Sequence, residues 1–302
     1  MTRQRRGFTL VELLVVAGLL SALFSLVVAG GRGQRPTATR AAQDFASLLL
    51  AAQSRALGRP EGAAVIVESP TTAPRTGTIL HSGTMLPPIT TSVTNGVPDS
   101  IPDMANGYKM RFRKQAGSGA GVGFVNISPW LGLVAGVPTL RSSAGQTAAN
   151  TILKPQGTNL QAFIVRYPTS GPKPTKLPSA IAIDLRHSGV GEDPAAASGY
   201  GRFENKGPIA VVFDQTGRVA EVIVQVGAGG GTAPIVPTAI IYFYFVDQAS
   251  ITAGTSLASD QSAWVAINPQ TGRINVSSNV PSDESSLVAA RDKARQAIAI
   301  GK

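Results

Sequence analysis

No cysteine occurs in these 302 residues, and histidine occurs twice, at His81 and His187. The first absence excludes disulfides, thiolate metal sites and cysteine nucleophiles together. The second excludes multi-histidine metal centres. Acidic side chains are scarce, 17 against 27 basic ones, so the formal charge is +10. That balance favours acidic partners, nucleic acid or anionic lipid, without choosing between them. No stretch alternates strand and helix signals, which sets aside a doubly wound fold. Apolar residues, by contrast, make up 43% of the chain, a globular rather than a disordered composition. With 33 glycines and 21 prolines the chain is also rich in turns.

Motifs for small-ligand chemistry fall short as well. Gly117 to Gly123 is glycine-rich, but no Lys-Ser/Thr pair and no helix pattern comes after it. The acidic pairs Glu192-Asp193 and Asp283-Glu284 stand alone, short of the oxygen ligands that calcium needs. Asp184, Arg186, His187 and Ser188 are close in sequence, which says nothing about a catalytic triad. A surface histidine at a strand end is the expectation there. No cofactor, no metal and no catalysis are expected.

The amino terminus carries the strongest signal. Met1 to Gly7 holds three arginines and no acid, and the next 22 residues, Phe8 to Ala29, hold a single charge, Glu12. As a helix those 22 residues would measure about 33 Å, enough to cross a hydrocarbon layer of about 30 Å. A plain signal peptide has a shorter apolar stretch. A carboxylate inside such a stretch costs roughly 2.5–3.5 kcal/mol at mid-membrane, and less near its end, so a retained one points to use. Phe8 and Glu12 are four residues apart and share one helix face.

Gly7-Phe8-Thr9-Leu10-Val11-Glu12-Leu13-Leu14 resembles the processing site of type IV prepilins and type II secretion pseudopilins. The resemblance implies cleavage by a prepilin peptidase between Gly7 and Phe8, then methylation of the new Phe8 amine. It further implies a single-pass anchor in the inner membrane, an assembly platform there, and a periplasmic carboxyl-terminal domain. Other pilin or pseudopilin subunits would be its partners in a pilus or pseudopilus. The Glu12 carboxylate of one subunit would pair with the Phe8 amine of its neighbour, because neither charge is tolerable alone in apolar surroundings. Loss of the leader takes the formal charge from +10 to +7.

Beyond the apolar run, Gly30 to Pro36 breaks the helix pattern and reads as a hinge or as a solvated linker, with Arg32 and Arg35 at the level of lipid headgroups. From residue 37 to 58, Ala41, Phe45, Leu48, Ala52 and Ala56 recur on one helical face. Gly58 and Pro60 then stop the helix. Residues 59–281 read as a β-rich domain. Its expected strands are Ala63–Glu68, Thr78–His81, Tyr108–Arg113, Val122–Asn126, Ala162–Tyr167, Ala180–Arg186, Ile209–Phe213, Val219–Val226, Ala239–Val246, Trp264–Ile267 and Ile274–Ser277. Ile240 to Phe245 is apolar on both faces, as in a central strand with a helix on one side and a sheet on the other.

The tetrapeptide Gln-Thr-Gly-Arg occurs twice, at Gln215–Arg218 and Gln270–Arg273, each time between two strand signals. Gly217 and Gly272 suit the positive φ of hairpin turns. The second hairpin, with the helix leading into the first strand, resembles H-type minor pseudopilins and FimT-type minor pilins. That resemblance thins between Ser69 and Gly207, where insertions are expected. Residues 282–302 form a last helix, capped by Ser282 and basic on one side. The expected fold is therefore α+β and pilin-like: a long amino-terminal helix, kinked near 30–36, on an antiparallel, sandwich-like domain.

Two basic groups offer contacts for an acidic partner. Lys109, Arg111 and Arg113 share one face of a strand, and Arg291, Lys293 and Arg295 one side of the last helix. Each reads more readily as a solvated surface. DNA captured by a minor pilin, or membrane lipid, is the partner they would imply.

Overall fold

The computed structural model describes residues 37–70, 75–85, 87–94, 97–98, 108–116, 123–126, 131–134, 137–139, 159–192, 201–225, 232–282 and 286–300. The chain divides into two compact units, Met1–Thr37 and Ala38–Lys302. The leader, the 8–29 segment and the 30–36 hinge lie outside the described residues. Every described helix and strand belongs to the second unit.

Helix α1 spans Ala38–Ala56. Glycine and proline are absent from it, and alanine dominates its inner stripe, a composition that favours helix. Ala38, Ala41, Ala42, Phe45, Ala46, Leu49, Ala52 and Ala56 are buried. The expected stripe is shifted by one residue near its middle: Leu49 is fully buried and Leu48 only partly. Gly58 ends the helix at a φ of +74°, and its amide donates to the Gln215 carbonyl.

Three antiparallel sheets make up most of the rest. The first has the order Thr169–Ser170, Ile79–Thr84, Ala63–Glu68, Ile209–Phe213, Val219–Gln225, Thr232–Ile235. The second runs Thr76–Gly77, Ile181–Asp184, Ile241–Asp247, Ala263–Ile267, Ile274–Ser278. These two share one core with α1. Val65, Val211, Phe213 and Val222 come from the first sheet, and Ile183, Phe243, Phe245 and Val265 from the second. The Phe45 ring of α1 meets Phe243 edge-on at 5.1 Å and Phe245 at 5.5 Å. The architecture is β-rich and antiparallel with few helices, the sandwich-like part of the expected fold.

The third sheet comes entirely from the stretch expected to hold insertions. Its order is Val97–Pro98, Ile89–Thr94, Leu160–Arg166, Tyr108–Gln115, Leu131–Val134, Val137–Thr139. It leaves the first sheet after Thr84 and returns to it at Thr169. Ile89–Thr94 was not expected as a strand, because its Thr-Thr-Ser composition after two prolines reads as loop.

The Ile241–Asp247 strand is buried on both faces, as expected of a central strand. Ile241, Phe243 and Phe245 face α1 and the first sheet. Tyr242, Tyr244 and Val246 face the carboxyl-terminal helix, with Trp264 and Leu257. A short helix, α2, spans Gln248–Ala253 directly after this strand, and the last helix, α3, spans Leu287–Ile300. Helix α3 begins later than expected. Ser282 is no cap; its amide donates to the Leu257 carbonyl. Leu287, Ala290 and Ala294 form the buried stripe of α3.

The repeated tetrapeptides meet in space. Gln53 of α1 donates through Nε2 to the Gly217 carbonyl at 2.7 Å and to the Gly272 carbonyl at 3.0 Å. Each turn is closed by the side chain before it. Asp214 accepts from the Thr216 amide at 2.8 Å, and Asn268 from the Gln270 amide at 3.0 Å. Gly217 and Gly272 have φ of +80° and +68°. A methyl group on Gly272 would overlap the Gly217 carbonyl and the Gln53 amide, whereas one on Gly58 would meet open space. Gly272→Ala should therefore cost about 2–4 kcal/mol and Gly58→Ala about 1–2 kcal/mol. Urea unfolding of the two variants beside the wild type reads the difference.

Candidate functional site

Gly7, Phe8 and Glu12, the residues with the clearest chemical assignment in the sequence, lie outside the described residues. Among the described residues no helix is long and apolar enough to cross a membrane. The second unit offers two polar constellations, one half-buried and one fully buried.

The half-buried one lies on the third sheet. Antiparallel register sets Phe163 opposite Arg111 and Gln161 opposite Arg113. On the other side Thr90 stands opposite Phe163. Because side chains alternate across a strand, Arg111, Arg113 and Phe163 share one face. The opposite face buries Met110, Phe112, Ala162 and Ile164. The Arg113 guanidinium lies 3.6 Å from the centre of the Phe163 ring, and that of Arg111 5.3 Å. Arg113 Nε also donates to Asn126 Oδ1 at 3.2 Å. Such stacking contributes about 1 kcal/mol at a partly exposed site. Partial burial, then the charge of Arg113, push the Arg111 guanidinium below its usual range. Of the three residues expected on this face, Arg111 and Arg113 lie around the Phe163 ring. The side chain of Lys109 lies outside the described residues. Phe163 was missed as its centre, since pairing of distant strands leaves no local signal.

The buried constellation joins Asp184, His187, Ser188 and Ser256, all nearly inaccessible. Asp184 Oδ2 accepts from His187 Nδ1 at 2.6 Å and from Ser256 Oγ at 2.7 Å. Its other oxygen accepts the Arg186 amide at 3.0 Å. Ser188 Oγ donates to the Asp184 carbonyl and accepts the Tyr244 amide. Burial pushes the Asp184 carboxyl up. The hydrogen bond and charge of His187, with the bonds from Ser256 and the Arg186 amide, outweigh burial and hold it below the usual carboxylate range. The expectation of a surface histidine is corrected: His187 is buried, because the turn after Ile181–Asp184 folds inward onto its own aspartate. Both Ser256 and His187 face the same carboxylate oxygen and no solvent reaches them. Ser256 Oγ also lies 3.1 Å from His187 Nδ1, so the three side chains brace one another around the carboxylate.

Helix α3 completes the bracing and corrects a second expectation. Arg291 is fully buried rather than part of a basic outer side. Its Nη2 donates to the carbonyls of His187 at 2.6 Å and Gly201 at 2.8 Å, and its Nη1 to that of Gly191 at 2.8 Å. The guanidinium also lies 5.4 Å from the Tyr242 ring. Arg295 remains at the surface but pairs with Glu192 at 3.0 Å and Asp292 at 2.6 Å. Lys293 is exposed. The three cations of this helix do not form one anion-binding face. Helical periodicity turns Lys293 away from Arg291, the stripe of Leu287, Ala290 and Ala294 carries Arg291 inward beside it, and Arg295, one turn further on, is held by Glu192 and Asp292.

Residues 2–28 match the prokaryotic N-terminal methylation motif. The match is consistent with type IV pilins and pseudopilins and covers the leader, the Gly7-Phe8 junction and Glu12. No curated protein and no solved structure matches the chain.

The buried carboxylate sets a pH dependence. A carboxyl held low in the folded state stabilises above its unfolded pKa, about 3.9, and that contribution fades as pH falls through the lower folded value. The thermal unfolding temperature of the wild type should therefore fall below about pH 4. Asp184→Asn should lose about 3 kcal/mol at pH 7 and show a flatter acid limb.

Proposed function

We propose that this protein is a pilin-like structural subunit, a minor pseudopilin of a type II secretion system or a minor subunit of a type IV pilus. The observation that carries the reading is the methylation motif at residues 2–28, with glycine, phenylalanine and glutamate at positions 7, 8 and 12. Prepilin peptidase removes Met1 to Gly7, and the Phe8 amine is methylated. The 8–29 segment then anchors the chain in the inner membrane, with the second unit on the periplasmic side. During assembly on the inner-membrane platform, Glu12 meets the Phe8 amine of a neighbouring subunit. An anion in the first turn also complements the helix dipole.

The protein performs no catalysis in this reading. Asp184, His187 and Ser256 are sealed within the second unit, where they serve stability. The minor, H-type assignment draws support from α1 leading into Ala63–Glu68 and from the closing hairpin at Gly272. The role of such a subunit is architectural.

A second reading is favoured by one specific feature, the stacked Arg111, Phe163 and Arg113. Alternating cations around an aromatic ring suit a single-stranded nucleic acid, which offers both phosphates and stacking faces. The mature protein in detergent would then bind a labelled oligonucleotide with an affinity that falls steeply as salt rises. Arg113→Ala would lower that salt slope by about one. No binding at low salt removes this reading and leaves the first intact.

For the first reading, Gly7→Glu should leave the leader attached, and Glu12→Ala should be cleaved normally yet fail to enter filaments. Amino-terminal sequencing and intact mass measure the cut and the methyl group. Wild-type protein that matures at any residue other than Phe8 overturns the assignment.

A further inference from the structure

Sheets expose unpaired amides and carbonyls at their margins, and folded proteins blunt them with prolines, charges or brevity. Most margins of these sheets obey that rule. Val97–Pro98, Val137–Thr139 and Thr232–Ile235 each contain a proline. Thr76–Gly77 and Thr169–Ser170 are two residues long. The far margin of the second sheet departs from it. Ile274–Ser278 reads Ile-Asn-Val-Ser-Ser, five residues without charge or proline.

Its free side can be assigned. The Asn268 amide donates to the Arg273 carbonyl, and the Asn279 amide to the Ser262 carbonyl. In register, Ala266 opposes Asn275 and Trp264 opposes Ser277. Hydrogen-bonded and non-bonded pairs alternate in an antiparallel ladder, so Asn275 and Ser277 bond inward. Ile274, Val276 and Ser278 then turn their amides and carbonyls outward. Among the described residues, none of these outward groups has a further backbone partner.

The surroundings also suit a protein partner. Ile274 and Val276 pack on the core that includes α1, and Trp264 of the neighbouring strand packs under α3. Exposed apolar side chains stand on both helices and beside the strand: Leu50 on α1, Leu57 just after it, Val280, and Val288 on α3. From Ile274 to Ser282 there is no charge, although the chain carries +10. An uncharged margin in a basic protein is complementary to a neutral segment and gives a charged one no counter-ion.

We propose that Ile274–Ser278 is a docking edge that takes an extended, uncharged segment of a neighbouring pilin-like subunit as an added strand. The added strand satisfies the outward groups of Ile274, Val276 and Ser278 by main-chain hydrogen bonds. This rests on the assembly reading above and adds to it a surface outside the amino-terminal helix.

The test is hydrogen exchange on the full mature chain, in detergent and within assembled filaments. The amides of Ile274, Val276 and Ser278 should exchange freely in the isolated chain and slow by about 100-fold on assembly. Asn275 and Ser277 should be protected in both states. Val276→Pro removes one outward donor and spares the inner ladder. Ser278→Lys adds an exposed charge without entering the core. Both should reduce incorporation about tenfold, with Ser278→Lys unfolding at the wild-type temperature. Unchanged exchange in filaments that contain the protein, or wild-type incorporation of Ser278→Lys, overturns the docking edge alone. Wild-type chain that never enters a filament overturns the assembly reading, and the edge with it.

Discussion

The second unit depends on how closely α1 lies against two sheets at once. Alanines at positions 38, 41, 42, 46, 52 and 56 leave its inner face almost smooth. A smooth face lets the backbone approach the sheets, and two larger side chains, Phe45 and Leu49, then fill the space between them. Phe45 alone touches two rings of the Ile241–Asp247 strand. Bulkier residues along that stripe would pry the sheets apart, since packed interiors accept added volume poorly. The same helix fixes the far end of the sandwich through Gln53, which holds both repeated turns by their glycine carbonyls. One helix therefore sets the separation of the sheets and the position of their hairpins.

A second layer of order comes from buried polar groups. The outer face of the second sheet carries Tyr242, Tyr244 and Trp264, which α3 covers. Tyr244 donates its hydroxyl to the Ser256 carbonyl at 2.6 Å, and Trp264 donates Nε1 to Asn279 at 2.9 Å. Burial, then the Glu192 carboxylate, push the Tyr242 hydroxyl up to about 12. Arg291 collects three carbonyls, those of His187, Gly191 and Gly201. Apolar contact alone would let α3 slide along the aromatic face. Directed bonds of this kind select one position for it, because leaving a buried guanidinium unmatched is costly.

Where the sequence was legible, a local pattern carried the information. Ala63–Glu68 and Ile209–Phe213 have the expected bounds because β-branched runs between turn residues identify a buried strand directly. The two Gln-Thr-Gly-Arg turns were visible as repeats. Their meeting was not, since it depends on Gln53, more than 160 positions away from either glycine in the chain. Ile89–Thr94 escaped notice because hydroxyl side chains fill four of its six positions, so its half-buried face carries too little apolar character to stand out from the exposed one. His187 and Arg291 were assigned to the surface on residue type. Their burial follows from partners supplied by other elements, Ser256 for the one and three loop carbonyls for the other.

The surplus of basic residues is sorted by this fold into unequal roles. Arg75 pairs with Glu204, Arg295 with Glu192 and Asp292, and Arg55 donates to Ser82. Arg291 is a staple. Net charge is then a poor guide to where an anion would bind, since these cations already have partners within the unit. Arg113 donates to Asn126, and Arg111 and Arg113 crowd each other around one ring on the third sheet. The second sheet, which lies against α1, keeps its margin neutral. Chemistry suited to an external polyanion and chemistry suited to another protein backbone thus occupy different sheets. A change that alters the charge of the third sheet leaves the contacts of α1 with its core untouched, so the two surfaces can vary independently on one scaffold.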